Sequence, residues 1–384
     1  MSNNHVIFIH PDGTSPAHFG MARFVKEGPD GRLNWDKLDE AAVYLGHMED
    51  QLTGTSNGGA VTHATGVKVY AESYGFEAVR DENGDPTVDE ATGRVVEEAL
   101  LALSGSAQTI MQEAVAAGKA TALINSGVIA EPGTGAFAAE VGQADVPSDA
   151  EGFAAFPRAQ FANITRQVVE SGIDVIMGGG LVNYLPAGTE PPADAVYATS
   201  AEQLDAISTE ANIRPEVNLI ELAESLGYTV VYTQAQMEAV TNDPGVTLVL
   251  GIFAYEDTFI DTIRTAEESL SGFDENLVNT DTPPYVPSAP TVGEMLAASQ
   301  TILERSPKFA EGSFVVLEEE GTDNFGNINS ASGMLEGLLR TDEAVGVALD
   351  FYERNPNTLI ITAADSDAGG LQTDDTDEVA ETFS

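Results

Sequence analysis

Short apolar runs recur along the chain at Val6–Ile9, Ala120–Asn125, Asp174–Met177, Thr229–Tyr232, Thr247–Leu250, Ser313–Leu317 and Thr358–Thr362. Apolar runs of this length, bounded by turn-forming residues, predict strands. Between them lie stretches at helical spacing, about 59–71, 161–171, 219–226, 292–305 and 334–352. The last is the clearest, because Leu335, Leu338, Leu339, Ala344, Val345, Ala348 and Leu349 recur on one helical face. Strands that alternate with helices predict crossover connections. The fold class is therefore α/β, a three-layer α/β/α sandwich around a large, mostly parallel sheet.

No internal repeat is present, and residues 1–384 read as a single domain. Three stretches, near 142–156, 185–215 and 256–290, have the composition of surface insertions: the two longer ones are rich in Pro, Asp, Glu and Thr and lack periodicity. After the last strand the chain runs into a polar tail, Asp374-Asp375-Thr376-Asp377-Glu378, rather than a finished domain edge. At the other end, Met1-Ser2-Asn3-Asn4-His5 passes straight into an apolar run without a basic segment or cleavage site. An export signal was removed or was never there.

Charge narrows the function. The chain carries 16 basic and 62 acidic residues, a formal net charge of −46. A surface this acidic repels nucleic acid and anionic lipid, which excludes DNA and RNA as partners. Its self-repulsion is best tolerated where salt screens it, as in marine or hypersaline water. An acidic bacterial surface protein, or carboxylates that hold calcium, are the other readings. The sequence has no cysteine, so zinc-thiolate sites, cysteine nucleophiles and redox dithiols are excluded. No run approaches the ~20 apolar residues of a membrane span.

In parallel sheets, ligands bind beyond the carboxyl ends of the strands. Five acids fall there: Asp12 after the first run, Glu318 and Asp323 after Ser313–Leu317, Asp365 and Asp367 after Thr358–Thr362. One acid at a strand end is ordinarily a helix cap or turn former. Five at three strand ends converge instead, and converging carboxylates require a cation. A second constellation, Gly54-Thr55-Ser56-Asn57-Gly58-Gly59, opens a helix. Ser56 is either a plain N-cap or a nucleophile whose helix amides face an anion, with a metal in place of a histidine base.

These landmarks, taken in order with Thr65-Gly66-Val67-Lys68, Gly118-Lys119-Ala120-Thr121, Asp174 through Gly180, Leu250 through Ala254, Asp342-Glu343-Ala344-Val345 and Thr362-Ala363-Ala364-Asp365, resemble the metal-dependent alkaline phosphatases over nearly the whole length. The resemblance implies hydrolysis of small phosphate monoesters at alkaline pH by a secreted enzyme, through a phosphoserine intermediate on Ser56. It implies up to three metals, with Asp12 bridging the second zinc and the magnesium, Asp365 at the second metal, Asp323 at the first, Thr134 and Glu318 completing the magnesium site and Glu131 nearby. Arg158, ahead of Ile164 and Gln167, is the phosphate clamp if 142–156 is an insertion; read without a gap, that position falls on Ala144. A homodimer is the protein partner the resemblance leaves open.

The departures bear on the metals. Where the family has a histidine four residues after the first-site aspartate, this chain has Asn327. Where it has a histidine after the second-site aspartate, this chain has Ser366, with Asp367 next in line to replace it. A third histidine belongs to a C-terminal part of the family fold that this chain does not reach. Oxygen donors at Asp12, Thr134, Glu318, Asp323, Asn327, Asp365, Ser366 and Asp367 suit magnesium, with zinc or a harder replacement, manganese or calcium, at the other one or two sites. Two histidines, His10 and His18, flank Asp12 and are either within reach of a metal or phosphate, or simply hydrogen-bonded. His63, on the Ser56 helix, reads as packing. A phosphodiesterase of the same superfamily, or a non-catalytic metal-binding module of a larger extracellular protein, are the competing functions. The Asn57-Gly58-Gly59 that follows Ser56 speaks against a sulfatase.

Overall fold

The computed structural model describes residues 4–142, 157–195, 201, 205, 214–259, 285, 286 and 288–371. In chain order the strands are β1 (His5–Pro11), β2 (Phe76–Ala78), β3 (Glu97–Ala99), β4 (Ala120–Val128), β5 (Val175–Gly179), β6 (Thr229–Val231), β7 (Val249–Ile252), β8 (Ser313–Glu319) and β9 (Thr358–Thr362). The helices used below are α1 (Pro16–Glu27), α2 (Ser56–Thr65), α3 (Ile110–Ala116), α4 (Pro132–Gly135), α5 (Phe161–Glu170), α6 (Leu219–Ser225), α7 (Gln234–Thr241), α8 (Val292–Glu304), α9 (Gly321–Asn327) and α10 (Ala331–Arg354).

All seven apolar runs are strands of one sheet, in the order β6-β7-β5-β4-β8-β1-β9, and every neighbouring pair is parallel. The small antiparallel pair β2-β3 lies outside it. Side chains alternate across the sheet. Phe314 and Val316 of β8 enter one core with Phe8, Leu123 and Ile176, against α2, α3, α5 and α6. Val315 and Leu317 enter the other with Ile7, Ile9, Ile124 and Met177, against α8 and α10. Strands buried on both faces lose the alternation of a half-exposed sheet, and that is why they read as plain apolar runs.

Local chemistry sets the helix ends. Helix α8 starts with a capping box in which Thr291 N donates to Glu294 Oε2 at 2.8 Å and Glu294 N donates to Thr291 Oγ1 at 3.1 Å. Helix α2 departs from its expected span of about 59–71. It starts at Ser56 because Thr55 caps it, and stops at Thr65 because Gly66 turns left-handed at φ 76°. Helix α1 fully buries only His18 and Ala22. Most of the stretches expected as insertions (142–156, 185–215 and 256–290), and the acidic tail at 374–378, lie outside the described residues. Among the described residues no helix is long and apolar enough to cross a membrane.

Candidate active site

Three adjacent strands, β8, β1 and β9, deliver acids to one place beyond their carboxyl ends. Asp12 follows β1, fully buried, with its amide donating to Glu319 O at 3.1 Å. Gly13 then takes φ +65°, where a Cβ would lie 2.7 Å from Asp323 Oδ1. Only glycine both adopts that turn and lets α9 come so close.

Strand β8 ends in three buried glutamates with different surroundings. Glu318 sits level with His10 on one side and Asn125 on the other. Its Oε2 accepts from Asn125 Nδ2 at 2.5 Å and lies 3.3 Å from Thr134 Oγ1. Glu319 is held by Tyr285 Oη at 2.6 Å and Ser126 Oγ at 2.7 Å. Glu320 lines the cavity, and its buried Oε2 has no hydrogen-bond partner. One turn on, α9 carries Asp323, whose Oδ2 accepts from Asn327 Nδ2 at 2.7 Å.

From β9 comes Asp365, buried, with neither carboxylate oxygen hydrogen-bonded. Ser366 Oγ donates to Asp12 Oδ1 at 3.2 Å and is 3.5 Å from Asp323 Oδ1. Asn327 and Ser366 thus both act as hydrogen-bond donors to carboxylates. Asp367 is exposed at the cavity wall, and Glu131 lines it from a buried position at the start of α4.

Burial, and then the neighbouring Asp365, pushes the Asp12 carboxyl well above the usual carboxylate range. Burial, followed by Asp12, does the same to Glu318, and burial with Glu131 next does it to Glu320. Asp365 is pushed up to about 7, first by burial. Like charges at this spacing do not all ionise in neutral water without a counter-charge. Among the described residues no lysine or arginine lines the cavity.

The donor set answers that need. His10, Asp12 and Asp365 present ligand atoms all within 4.8 Å of one another, and so do Asp12, Glu320 and Asp323, with Asp12 common to both groups. Orphaned, fully buried carboxylate oxygens at Asp12, Glu318, Glu320 and Asp365 fit divalent cations. Glu320, passed over in the sequence, belongs to one group. Three glutamates in a row at a strand end do not reveal which of them turns inward.

Ser56 borders the same cavity of about 390 Å³. Thr55 performs the capping, its Oγ1 accepting from Gly58 N at 3.3 Å and donating to Ala71 O at 2.6 Å. Ser56 Oγ is left without a hydrogen bond among the described residues and faces the cavity. A Cβ at Gly59 would lie 2.5 Å from Asp365 Cβ, so the bare glycine is what lets α2 pack on the β9 end. His18 has another occupation: Ser15 N donates to its Nδ1 at 2.9 Å where α1 begins. His63 is buried against Phe8 and His10, at ring-centroid distances of 5.1 and 5.4 Å. Arg158 falls in the turn Pro157–Gln160 that leads into α5, its side chain outside the described residues, as is Ala144.

A parallel α/β sheet with buried carboxylates and a free hydroxyl over its carboxyl edge defines the class of metal-binding α/β hydrolases. Within it, the chain belongs to the alkaline phosphatase family, phosphate-monoester hydrolases whose sequence model matches residues 3–382. The chain is 24% identical over 375 residues to the alkaline phosphatase of Escherichia coli strain K12, covering 94% of this chain and 69% of that protein. It is 25% identical to the streptomycin-6-phosphate phosphatase of Streptomyces griseus, covering 94% of this chain and 72% of that protein. Among solved structures, the alkaline phosphatase of the Antarctic bacterium TAB5 aligns with a TM-score of 0.61 at 17% identity, covering 98% of this chain and 84% of that one. The Thermus thermophilus enzyme gives 0.62 at 18% identity, over 95% of this chain and 59% of that one. A TAB5 variant with Mg bound in its M3 site gives 0.60.

Proposed function

We propose that the protein hydrolyses phosphate monoesters through a phosphoserine formed on Ser56. The observation that carries this reading is a hydroxyl relieved of capping duty beside orphaned, buried carboxylates. Asp12 and Asp365 would hold one divalent cation, and Asp12, Glu320 and Asp323 a second. When bound, the cations lower the pKa of the serine hydroxyl and offset charge on the phosphoryl and leaving oxygens. The amides of Ser56 and Asn57, without acceptors among the described residues at the start of α2, would donate to the phosphate dianion. Ser56 Oγ attacks phosphorus, the P–O bond to the alcohol breaks, and the alcohol leaves with a proton. Water then attacks the phosphoserine, releasing phosphate and restoring the hydroxyl. Asn327 and Ser366 hold the carboxylates in place for both steps.

The Streptomyces relative is named for a phosphate monoester, which favours monoesters over diesters. The charge of −46 supports work in saline surroundings. The test is turnover of nitrophenyl phosphate and its bis-ester by the full chain supplied with magnesium, manganese, calcium or zinc. Release from the monoester that Ser56→Ala abolishes, with folding and metal content retained, is the expected result. No release with any cation, or more than a few per cent of wild-type kcat in Ser56→Ala, would overturn it.

A further inference from the structure

We propose that His10 is a nitrogen ligand of the cation held by Asp12 and Asp365, so that the two cation sites of this chain are chemically unlike. This rests on the reading that divalent cations occupy the carboxylate cluster. His10 lies on β1 two residues before Asp12 and is fully buried. Its Nε2 is 3.3 Å from Asp365 Oδ1, and its Nδ1 is 3.6 Å from Glu318 Oε1. Both distances exceed the roughly 2.7–3.2 Å of an N–H···O bond. Neither ring nitrogen has a hydrogen-bond partner, nor do the facing oxygens Asp365 Oδ1 and Glu318 Oε1.

A buried imidazole with both nitrogens unmet is costly. The ring also meets Phe8 and His63, at centroid distances of 6.1 and 5.4 Å, and on its Nδ1 side the backbone of Gly133, where an added Cβ would lie 2.3 Å from Nδ1, so Nε2 is the nitrogen turned to the cation. A cation resolves the deficit. Ligand atoms about 2.1 Å from an ion lie at most ~4.2 Å apart, and those of His10, Asp12 and Asp365 already gather within 4.8 Å. A small inward shift would close the shell.

The consequence is a division of metal preference. One imidazole with two carboxylates favours zinc, cobalt or another borderline transition ion. The neighbouring group of Asp12, Glu320 and Asp323 offers oxygen alone and favours magnesium, calcium or manganese. The histidines missing at positions 327 and 366 are thus offset in part by one supplied from β1.

The full chain, stripped of metal and reloaded with two equivalents of cobalt(II), is examined by proton NMR in water. A coordinated imidazole gives a paramagnetically shifted ring N–H resonance, and wild type is expected to show one. It should be absent from His10→Gln and present in His63→Gln, and His10→Gln should bind one of the two cobalt ions at least about tenfold more weakly. Wild type that binds cobalt without such a resonance, or fails to bind it, overturns the proposal even if the variants do not fold. Phosphate release is measured in parallel. Release without the resonance rejects His10 alone, whereas the resonance without release rejects the phosphatase reading alone.

Discussion

Asn327 and Asp323 stand one helical turn apart on α9, with Asn327 Nδ2 donating to Asp323 Oδ2 at 2.7 Å. An amide there orients the carboxylate but brings no nitrogen lone pair to a metal. Asn327→His supplies one. We expect it to raise zinc affinity relative to magnesium at the Asp12–Glu320–Asp323 group by tenfold or more. Competition titration of the metal-free protein would read this, and an unchanged ratio would show that position 327 does not face the cation.

Glu318 and Glu320 are separable. Each keeps one buried oxygen without a partner, but Glu318 is bound through its other oxygen to Asn125, whereas Glu320 lines the cavity. Glu320→Gln is expected to weaken binding of one cation by about tenfold or more with little loss of stability. Glu318→Gln should lower stability by about 1–3 kcal/mol, by disturbing its hydrogen bonds with Asn125 and Thr134. Calorimetric metal titration and thermal melts of the two variants decide it; the reverse ranking would exchange their roles.

Gly59→Ala would place a methyl 2.5 Å from Asp365 Cβ and 2.8 Å from Asp365 O. Overpacking of this kind costs about 1–3 kcal/mol, and here it also drives α2 and its Ser56 away from Asp365. A melt several degrees lower, with kcat reduced more than KM is raised, is the expected pattern. Wild-type kcat in the folded variant would show that the α2–β9 contact does not position the serine.

The raised carboxyls make the metal-free protein sensitive to base. Asp365, at about 7 in the fold, and Asp12, Glu318 and Glu320, also raised, keep protons that the unfolded chain has already released. The native state therefore binds more protons, and stability falls as pH rises through the folded values. The buried histidines act oppositely: His63, lowered to about 3 by burial, gains stability for the fold as pH rises, but only up to the ordinary histidine value of 6.5. From pH 6.5 upward the carboxyls act unopposed. Metal-free protein should melt progressively lower from pH 6.5 to 9, and added divalent cation should flatten that slope. A flat profile without metal would mean that the cluster is more solvated than its burial implies.

The sheet was legible because burial on both faces turns its central parallel strands into plain apolar runs, as in Ser313–Leu317. Convergence of Asp12, Asp323 and Asp365 was legible too, since each follows a strand. Pattern failed where a single residue's orientation decides. Helix α2 ends at Gly66 although apolar residues continue to Ala71, and a left-handed cap overrides that period. Among Glu318, Glu319 and Glu320, the chain bends into α9 just past the strand, so alternation no longer tells which carboxylate turns to the cavity. For His10 the sequence left two readings, a metal or phosphate within reach or a plain hydrogen bond, because only the fold places Asp365 against it.

Ser366 and Asp12 lie 354 positions apart in the chain and meet because β1 sits between β8 and β9. A chain emerging from the ribosome therefore exposes β1 without either neighbour until β8 and β9 have been made. Such long-range pairing closes slowly. The pocket becomes able to retain ions only after β9 has docked beside β1, so translation must run past Asp365 before any catalysis can begin.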